Sequence, residues 1–557
     1  MKDKKGSLLP LFWYAFAGFL ILGYILLPFL HTVVQAFQTG EGYGWDAAAE
    51  LFANPNQRQV IWNTVLLGVS MVFTCGSLGI ALALYMTFLA GKRKQAVHVL
   101  LLSPMMLPGV ITVISFIQLY GESGMVTKAL EAICRLKEAP FRFEGFGAIL
   151  FVITYTQYVY FYLNVYVALK YIDYSAIEAA RSLGAPRRQI FTDVIWPVIR
   201  PAVLTSIVLT FASGVSAFSA PNLMGGGFKV LSTQIVRSKA NNHMEMASMQ
   251  ALILFLISAA VMMLMQLYSR RFGDIAGDRI PGAVPGGRNT GVFARVCRVL
   301  VYLQLLLILL PVASILYLSF METGSIMKDV FPHAFTLQNY ADIFRKPRVF
   351  APVRNSLVMS LMAAAAGLVL TVPSAVLTVR RAGKADGLLR LMLMLPSAMP
   401  ASLLGINLIN AFNRRSVFAL GQSLVGGFYI LPAAYAITAL PLLLSSNEIA
   451  IRGVHRGMEE ASASLGAGMM YTFTHVLLPN IAPGVLAGGI LVFIRTVGEY
   501  TMSALLYGVH NRPVSISIIT NMQEYHIGIS LAYGVLVIAV CCAALAVVFK
   551  LDKKRFL

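Results

Sequence analysis

Two ionisable residues in one apolar stretch, Arg495 and Glu499, stand out as groups able to do chemistry inside this chain. A charged side chain at mid-bilayer costs about 2.5–3.5 kcal/mol on insertion scales, so it is retained where a pathway or a partner requires it. On a helix their i, i+4 spacing lets the two face each other. They would then line a polar path or neutralise each other within a packed bundle. Asn164 and Asn407 are further polar residues in apolar stretches, as is Asn410; such amides serve a path or bond one helix to the next. The five cysteines (Cys75, Cys134, Cys297, Cys541, Cys542) show no metal-ligand spacing, so no metal site is expected. The phosphate-cradling pattern Gly-x4-Gly-Lys-Ser/Thr fails at both near matches, Gly91-Lys92-Arg93 and Gly383-Lys384-Ala385. Neither His-Glu-x-x-His nor a nucleophile elbow occurs. No catalytic residue and no cofactor of its own are therefore expected.

These residues sit in a chain of 557 residues that is 58% hydrophobic and only 12% charged. Soluble domains carry about 25% charge, so the solvent for most of this chain must be lipid. The formal net charge of +20 would suggest nucleic acid in a soluble protein. Here the charges fall in short loops between apolar stretches, which points to membrane topology instead. Twelve spans are expected, six per half: 10–36, 60–90, 96–119, 146–169, 202–224 and 248–268, then 298–320, 355–379, 387–410, 424–446, 485–508 and 529–549. Lys and Arg exceed acids most strongly in the segments on the N-terminal side of the membrane. By the positive-inside rule both termini are therefore cytoplasmic.

The segment 269–297 differs from the rest. It combines Arg270, Arg271, Arg279, Arg288 and Arg295 with Pro281, Gly282, Pro285 and Gly286, the composition of a cytoplasmic linker. It divides the chain into residues 1–268 and 298–557, and the two halves repeat each other. Glu178, Gly184 and Pro197 recur at one constant offset as Glu460, Gly466 and Pro479. Asn63, Pro104 and Pro108 recur at a second, slightly longer offset as Asn355, Pro396 and Pro400; loops of unequal length account for the difference. With six spans per half, the repeats run parallel, related by a pseudo-twofold axis along the membrane normal.

Both copies of the longest repeated pattern fall in the loop between the fourth and fifth spans, at 176–197 and 458–479. Alanine and leucine around Glu178 and Glu460 favour a short helix. Gly184 and Gly466 can take positive φ and end it in a sharp turn. An amphipathic helix follows, with Ile190, Val194 and Ile195 in one copy and Phe473, Val476 and Leu477 in the other. Pro197 and Pro479 mark re-entry to the membrane. The expected product is a helix–turn–helix elbow on the cytoplasmic face, able to seat in a partner's groove and move as a lever.

This pattern, Glu-Ala-Ala/Ser-x3-Gly-x9-Val-x-Trp/Leu-Pro, resembles the EAA loop of binding-protein-dependent ABC importer permeases. The second copy departs from it at Ser462 and the first at Trp196. Two permease domains in one chain resemble the iron(III), thiamine and 2-aminoethylphosphonate importer permeases. Pro221-Asn-Leu-Met-Gly-Gly-Gly227 and Gly498-Glu499-Tyr500-Thr501 add to the likeness. The resemblance implies an all-α membrane protein of the bacterial inner membrane, with coupling carried by Glu178, Ala179, Ala180, Gly184, Pro197, Glu460, Ala461, Gly466 and Pro479. It implies two copies of a separate ATP-binding subunit holding ATP and Mg2+. A periplasmic or lipid-anchored binding protein would supply the substrate, iron(III) or a phosphonate-type anion. An ion-coupled secondary transporter with two six-helix halves is the alternative; its signature loops after the second span would be long, and here both are short.

Overall fold

The computed structural model describes residues 4–39, 42–89, 94–271, 292–381 and 383–553. Nearly all of it is helix. Among the described residues, eleven helices are long and apolar enough to cross a bilayer, or up to twelve if one bent pair counts as a span. In lipid an unpaired backbone group costs several kcal/mol, and a helix satisfies each of its own.

Ten helices of the first half have counterparts in the second. They are α1 (Pro10–Ala36), α2 (Pro55–Phe88), α3 (Lys94–Leu102), α4 (Gly109–Tyr120), α5 (Gly145–Leu169), α6 (Tyr174–Ser182), α7 (Trp196–Val215), α8 (Ser219–Met224), α9 (Leu231–Ala240) and α10 (Met244–Arg271). The second set is α11 (Val292–Ser319), α12 (Pro347–Arg380), α13 (Lys384–Met394), α14 (Ala401–Phe412), α15 (Ile430–Arg452), α16 (Arg456–Ser464), α17 (Leu478–Val497), α18 (Thr501–Leu506), α19 (Val514–Gln523) and α20 (Ile527–Lys553). Most of the linker expected at 269–297 lies outside the described residues.

Three expectations about the spans need correction. The third span of the second half, expected over 387–410, is broken, and its two parts meet at 107°. Proline excludes the α conformation from the residue before it, and Met399 (ψ 124°) before Pro400 is extended. Leu107 before Pro108 is extended in the same way (ψ 132°). The fifth span of the second half, expected over 485–508, ends at Val497, whereas that of the first half, expected over 202–224, reaches Met224 with a break after Val215; short helices α8 and α18 follow the two breaks. The fourth span of the second half starts at Ile430, not 424. Gly426 holds φ +81°, so the apolar run before Ile430 is loop.

Three single π-turns share one cause. Leu22–Leu26, Ile190–Ile195 and Thr472–Leu477 each end two residues before a proline: Pro28, Pro197 and Pro479. Proline has no N–H to give the carbonyl four residues back. The helix widens there, and the N–H of Trp196 bonds the carbonyl of Phe191, five residues away. Pro197 and Pro479 thus sit within helices that run on from the elbows, rather than at a fresh entry to the membrane.

The two sequence halves exchange their first helices. Trp13 Nε1 of α1 donates to Ser374 Oγ of α12 at 3.0 Å, and the Tyr14 hydroxyl bonds Asp386 of α13. Tyr24 donates to the Phe418 carbonyl at 2.8 Å. In return, Val301 and Ile308 of α11 are buried in the first half's core with Leu82, Val113 and Tyr155. Each half is therefore completed by a helix of the other.

Candidate functional site

The two elbows are alike in backbone. In the first, Asp173 caps α6 by accepting from the N–H and hydroxyl of Ser175 at 2.9 and 2.7 Å. These bonds favour the charged form and hold its carboxyl below the usual range. In the second, His455 Nδ1 accepts from the Gly457 N–H at 3.1 Å. Gly184 and Gly466 take φ of +78° and +85°. The N–H of Ala185 then bonds the Ala180 carbonyl at 3.0 Å, and Ala467 bonds Ser462 at 3.1 Å, the left-handed glycine cap that turns the chain back.

The elbows' undersides are apolar and packed. Ile177 and Ile190 are buried in the first half's core. Their outer faces are bare: Glu178, Ala179, Gly184, Glu460, Ala461 and Gly466 are exposed. Ala180 and Pro197 are half-buried, whereas Pro479 is exposed. Leu183 and Leu465 at the tips are 88% and 90% exposed. Each elbow thus holds one leucine in the open on a fixed turn.

What fastens each elbow differs between the halves. In the second, Arg380 at the end of α12 pairs with Glu459 of α16 at 2.7 Å. It also donates to the Ile451 and Val454 carbonyls at 3.1 and 2.9 Å. Glu448, 5% exposed on α15, accepts from Arg390 Nε of α13 at 2.8 Å and from Thr378 at 3.1 Å. For Glu459, Arg380, Glu448 and Arg390, the aligned first-half residues are Ile177, Phe88, Tyr166 and His98. There Lys170 Nζ lies 4.9 Å from the Tyr166 ring and Lys94 Nζ 5.7 Å, while His98 Nδ1 bonds the Tyr162 hydroxyl at 2.6 Å. One joint is ionic; the other is aromatic with flanking cations. Sequence reasoning missed the ionic joint because its fourth span ended at 446, just short of Glu448. A buried acid at the end of an apolar helix was the available signal.

Between the halves lies a second constellation. Phe218 and Tyr500 occupy aligned positions of the two halves, in the breaks that end α7 and α17. Both are buried, and their rings meet at 5.1 Å. Asn222 donates to the Tyr500 hydroxyl at 2.7 Å. Gly498 packs so closely on Pro108 that a Cβ would stand 2.3 Å from the proline Cβ. Matched bonds hold both breaks: Ser232 to the Ala217 carbonyl at 2.5 Å and Ser515 to the Glu499 carbonyl at 2.7 Å. Asn63 and Asn355 bond the carbonyls of Lys229 and Arg512 at 3.0 and 3.2 Å, which accounts for their recurrence.

The expected Arg495–Glu499 pair does not form. The helix ends at Val497, so the i, i+4 geometry is lost. The Glu499 carboxylate instead accepts from the N–H groups of Met502 and Ser503 at 3.0 and 3.1 Å, capping α18. Arg495 is exposed and forms no ion pair among the described residues. Asn164 donates to Ser206 Oγ at 3.0 Å and ties α5 to α7. Asn407 is 1% exposed, and its amide has no partner among the described residues.

The profile of a family described as "Binding-protein-dependent transport system inner membrane component" matches residues 77–274 and again 364–556. A probable ABC transporter permease protein of Sinorhizobium fredii is 30% identical over 541 residues, 96% of this chain and 95% of that one. A ferric transport system permease protein of Actinobacillus pleuropneumoniae is 24% identical over 94% of this chain and 75% of its own length. A putative ferric transport system permease protein of Haemophilus influenzae is 24% identical over 88% and 76%.

Proposed function

Because the chain belongs to the binding-protein-dependent transport system inner membrane components, carried as two fused copies, we propose that it forms the whole translocation path of an ATP-driven importer. The reading rests on one observation above others: two elbows of the same build, each with a bare leucine tip on a glycine turn. One ATP-binding subunit sits under each elbow and holds the ATP and Mg2+. Residues Glu178, Ala179, Ala180, Gly184 and Pro197, and Glu460, Ala461, Gly466 and Pro479, pass its closing motion into α7 and α17. The elbow face is cytoplasmic, with both termini. Residues 1–268 and 298–557 are the permease domains, and 269–297 links them. A periplasmic or lipid-anchored binding protein delivers the substrate to the opposite face.

Iron(III) is the substrate we favour, supported by the ferric relatives' reach along the chain; a phosphonate-type anion is the other. In vesicles holding this chain, its ATPase and its binding protein, uptake of iron(III) is expected only with ATP. Uptake driven by an ion gradient without nucleotide would instead establish the secondary transporter.

Phe218 and Tyr500 close the path near the far face, and Asn407 meets the substrate once α14 and α18 part. An aromatic pair contributes about 0.5–1.5 kcal/mol beyond its burial. Vesicles with Phe218→Ala and Tyr500→Ala together are expected to leak a small entrapped dye without nucleotide. Vesicles as tight as those of the unmodified chain would remove these two rings from the closure.

A further inference from the structure

On the face opposite the elbows, a cavity of about 460 Å3 opens between the first turns of α2 and helix α9. Lys229 and Arg237 stand on its wall with Glu50 and His243. Neither cation forms an ion pair among the described residues, so the wall is net positive. Its floor is built of fixed amides. Asn63 is buried and bonded to the Lys229 carbonyl. Gln57 accepts from the fully buried Gln250 at 3.2 Å, and Gln250 accepts from Ser238 of α9 at 3.0 Å.

The cavity is joined to the closure by short links. Helix α9 starts at Leu231, whose N–H is held by Thr64 Oγ1 at 2.9 Å. The next residue, Ser232, grips the Ala217 carbonyl, and Ala217 precedes Phe218. The second half repeats this frame with Val514 N–H on Ser356 Oγ at 2.8 Å. With Leu231 set against Val514, Thr520 stands where Arg237 stands. Lys229 is matched by Arg512, so of the two cations only Arg237 belongs to the first half alone.

We propose that this cavity receives an acidic side chain of the substrate-binding protein, and that its entry draws α9 outward and loosens the Phe218–Tyr500 contact. This rests on the importer reading, in which the elbow face is taken by the ATPase and the binding protein lands opposite. The cationic wall attracts a carboxylate, and the amide floor can hydrogen-bond it. A water fills about 30 Å3 of liquid, so a lone inorganic anion would leave most of the space open, whereas a side chain on its loop would fill it.

The test is a titration of the binding protein against ATP hydrolysis by the reconstituted complex, each rate normalised to that complex without binding protein. Arg237→Glu is expected to raise the half-maximal concentration about tenfold, as loss of an interfacial charge pair does. Arg237→Lys should stay near the unmodified value. A lysine at the matching acid of the binding protein, found by scanning its acidic residues, should restore Arg237→Glu. An unchanged titration for Arg237→Glu would overturn the proposal while leaving the importer reading intact. Stimulation by inorganic phosphate alone, to the level the binding protein gives, would overturn it in favour of a free-anion site. No stimulation of the unmodified complex would overturn the importer reading and this inference together.

Discussion

A chain carrying Gly184→Pro or Gly466→Pro is expected to insert normally yet transport more than about a hundredfold more slowly, each tenfold in rate being about 1.4 kcal/mol. Proline fixes φ at about −65°. The elbows turn at φ of +78° and +85°. The cap bonds of Ala185 and Ala467 cannot then form, and the leucine tip leaves its place. Alanine makes a graded control. A Cβ at either glycine meets open space, so only the left-handed backbone resists it, at about 1–2 kcal/mol. Transport in Gly184→Ala should therefore fall on the order of tenfold. ATP-dependent uptake in vesicles, with co-purification of the ATPase as a second reading, measures both. Wild-type uptake in the proline variants would mean that the turns do not carry the coupling.

The second large effect is expected at Arg380. Its guanidinium holds Glu459 and two carbonyls at the end of α15, with its side chain 13% and that of Glu459 24% exposed. Arg380→Ala leaves all three without that donor. Breaking a mostly buried pair from one side costs on the order of 3 kcal/mol, and here the loss falls on the joint between α12 and the elbow. A double-mutant cycle separates this from simple loss of packing. If the ion pair dominates, Arg380→Ala with Glu459→Ala should be no less stable than Arg380→Ala alone. Thermal unfolding of the detergent-solubilised complex gives both values. Strictly additive losses would mean that the pair is not the clasp. No charge pair exists at the aligned Phe88 and Ile177, so the two elbows should differ in their response to salt.

The local features were legible in the sequence. Apolar runs of about 20 residues marked the spans, since lipid tolerates little else. The spacing Glu178–Gly184–Pro197, met again at Glu460–Gly466–Pro479, marked both elbows, because a turn that needs positive φ admits few residues besides glycine. The constant offset between those two sets revealed the duplication. Each of these features is written in one short stretch of chain, alone or set beside its repeat.

Tertiary structure decided the rest. It moved α1 onto the second half and α11 onto the first, bent the chain at Pro400, and turned Glu499 from a partner of Arg495 into a helix cap. It also set Phe218 of one half against Tyr500 of the other, and clasped the second elbow with Arg380 and Glu459. The physical reason is common to all of these. Which helix face meets which is fixed by side chains packing from distant parts of the chain at near-crystalline density. Composition and spacing along one helix record what that helix needs, but not the neighbour that supplies it.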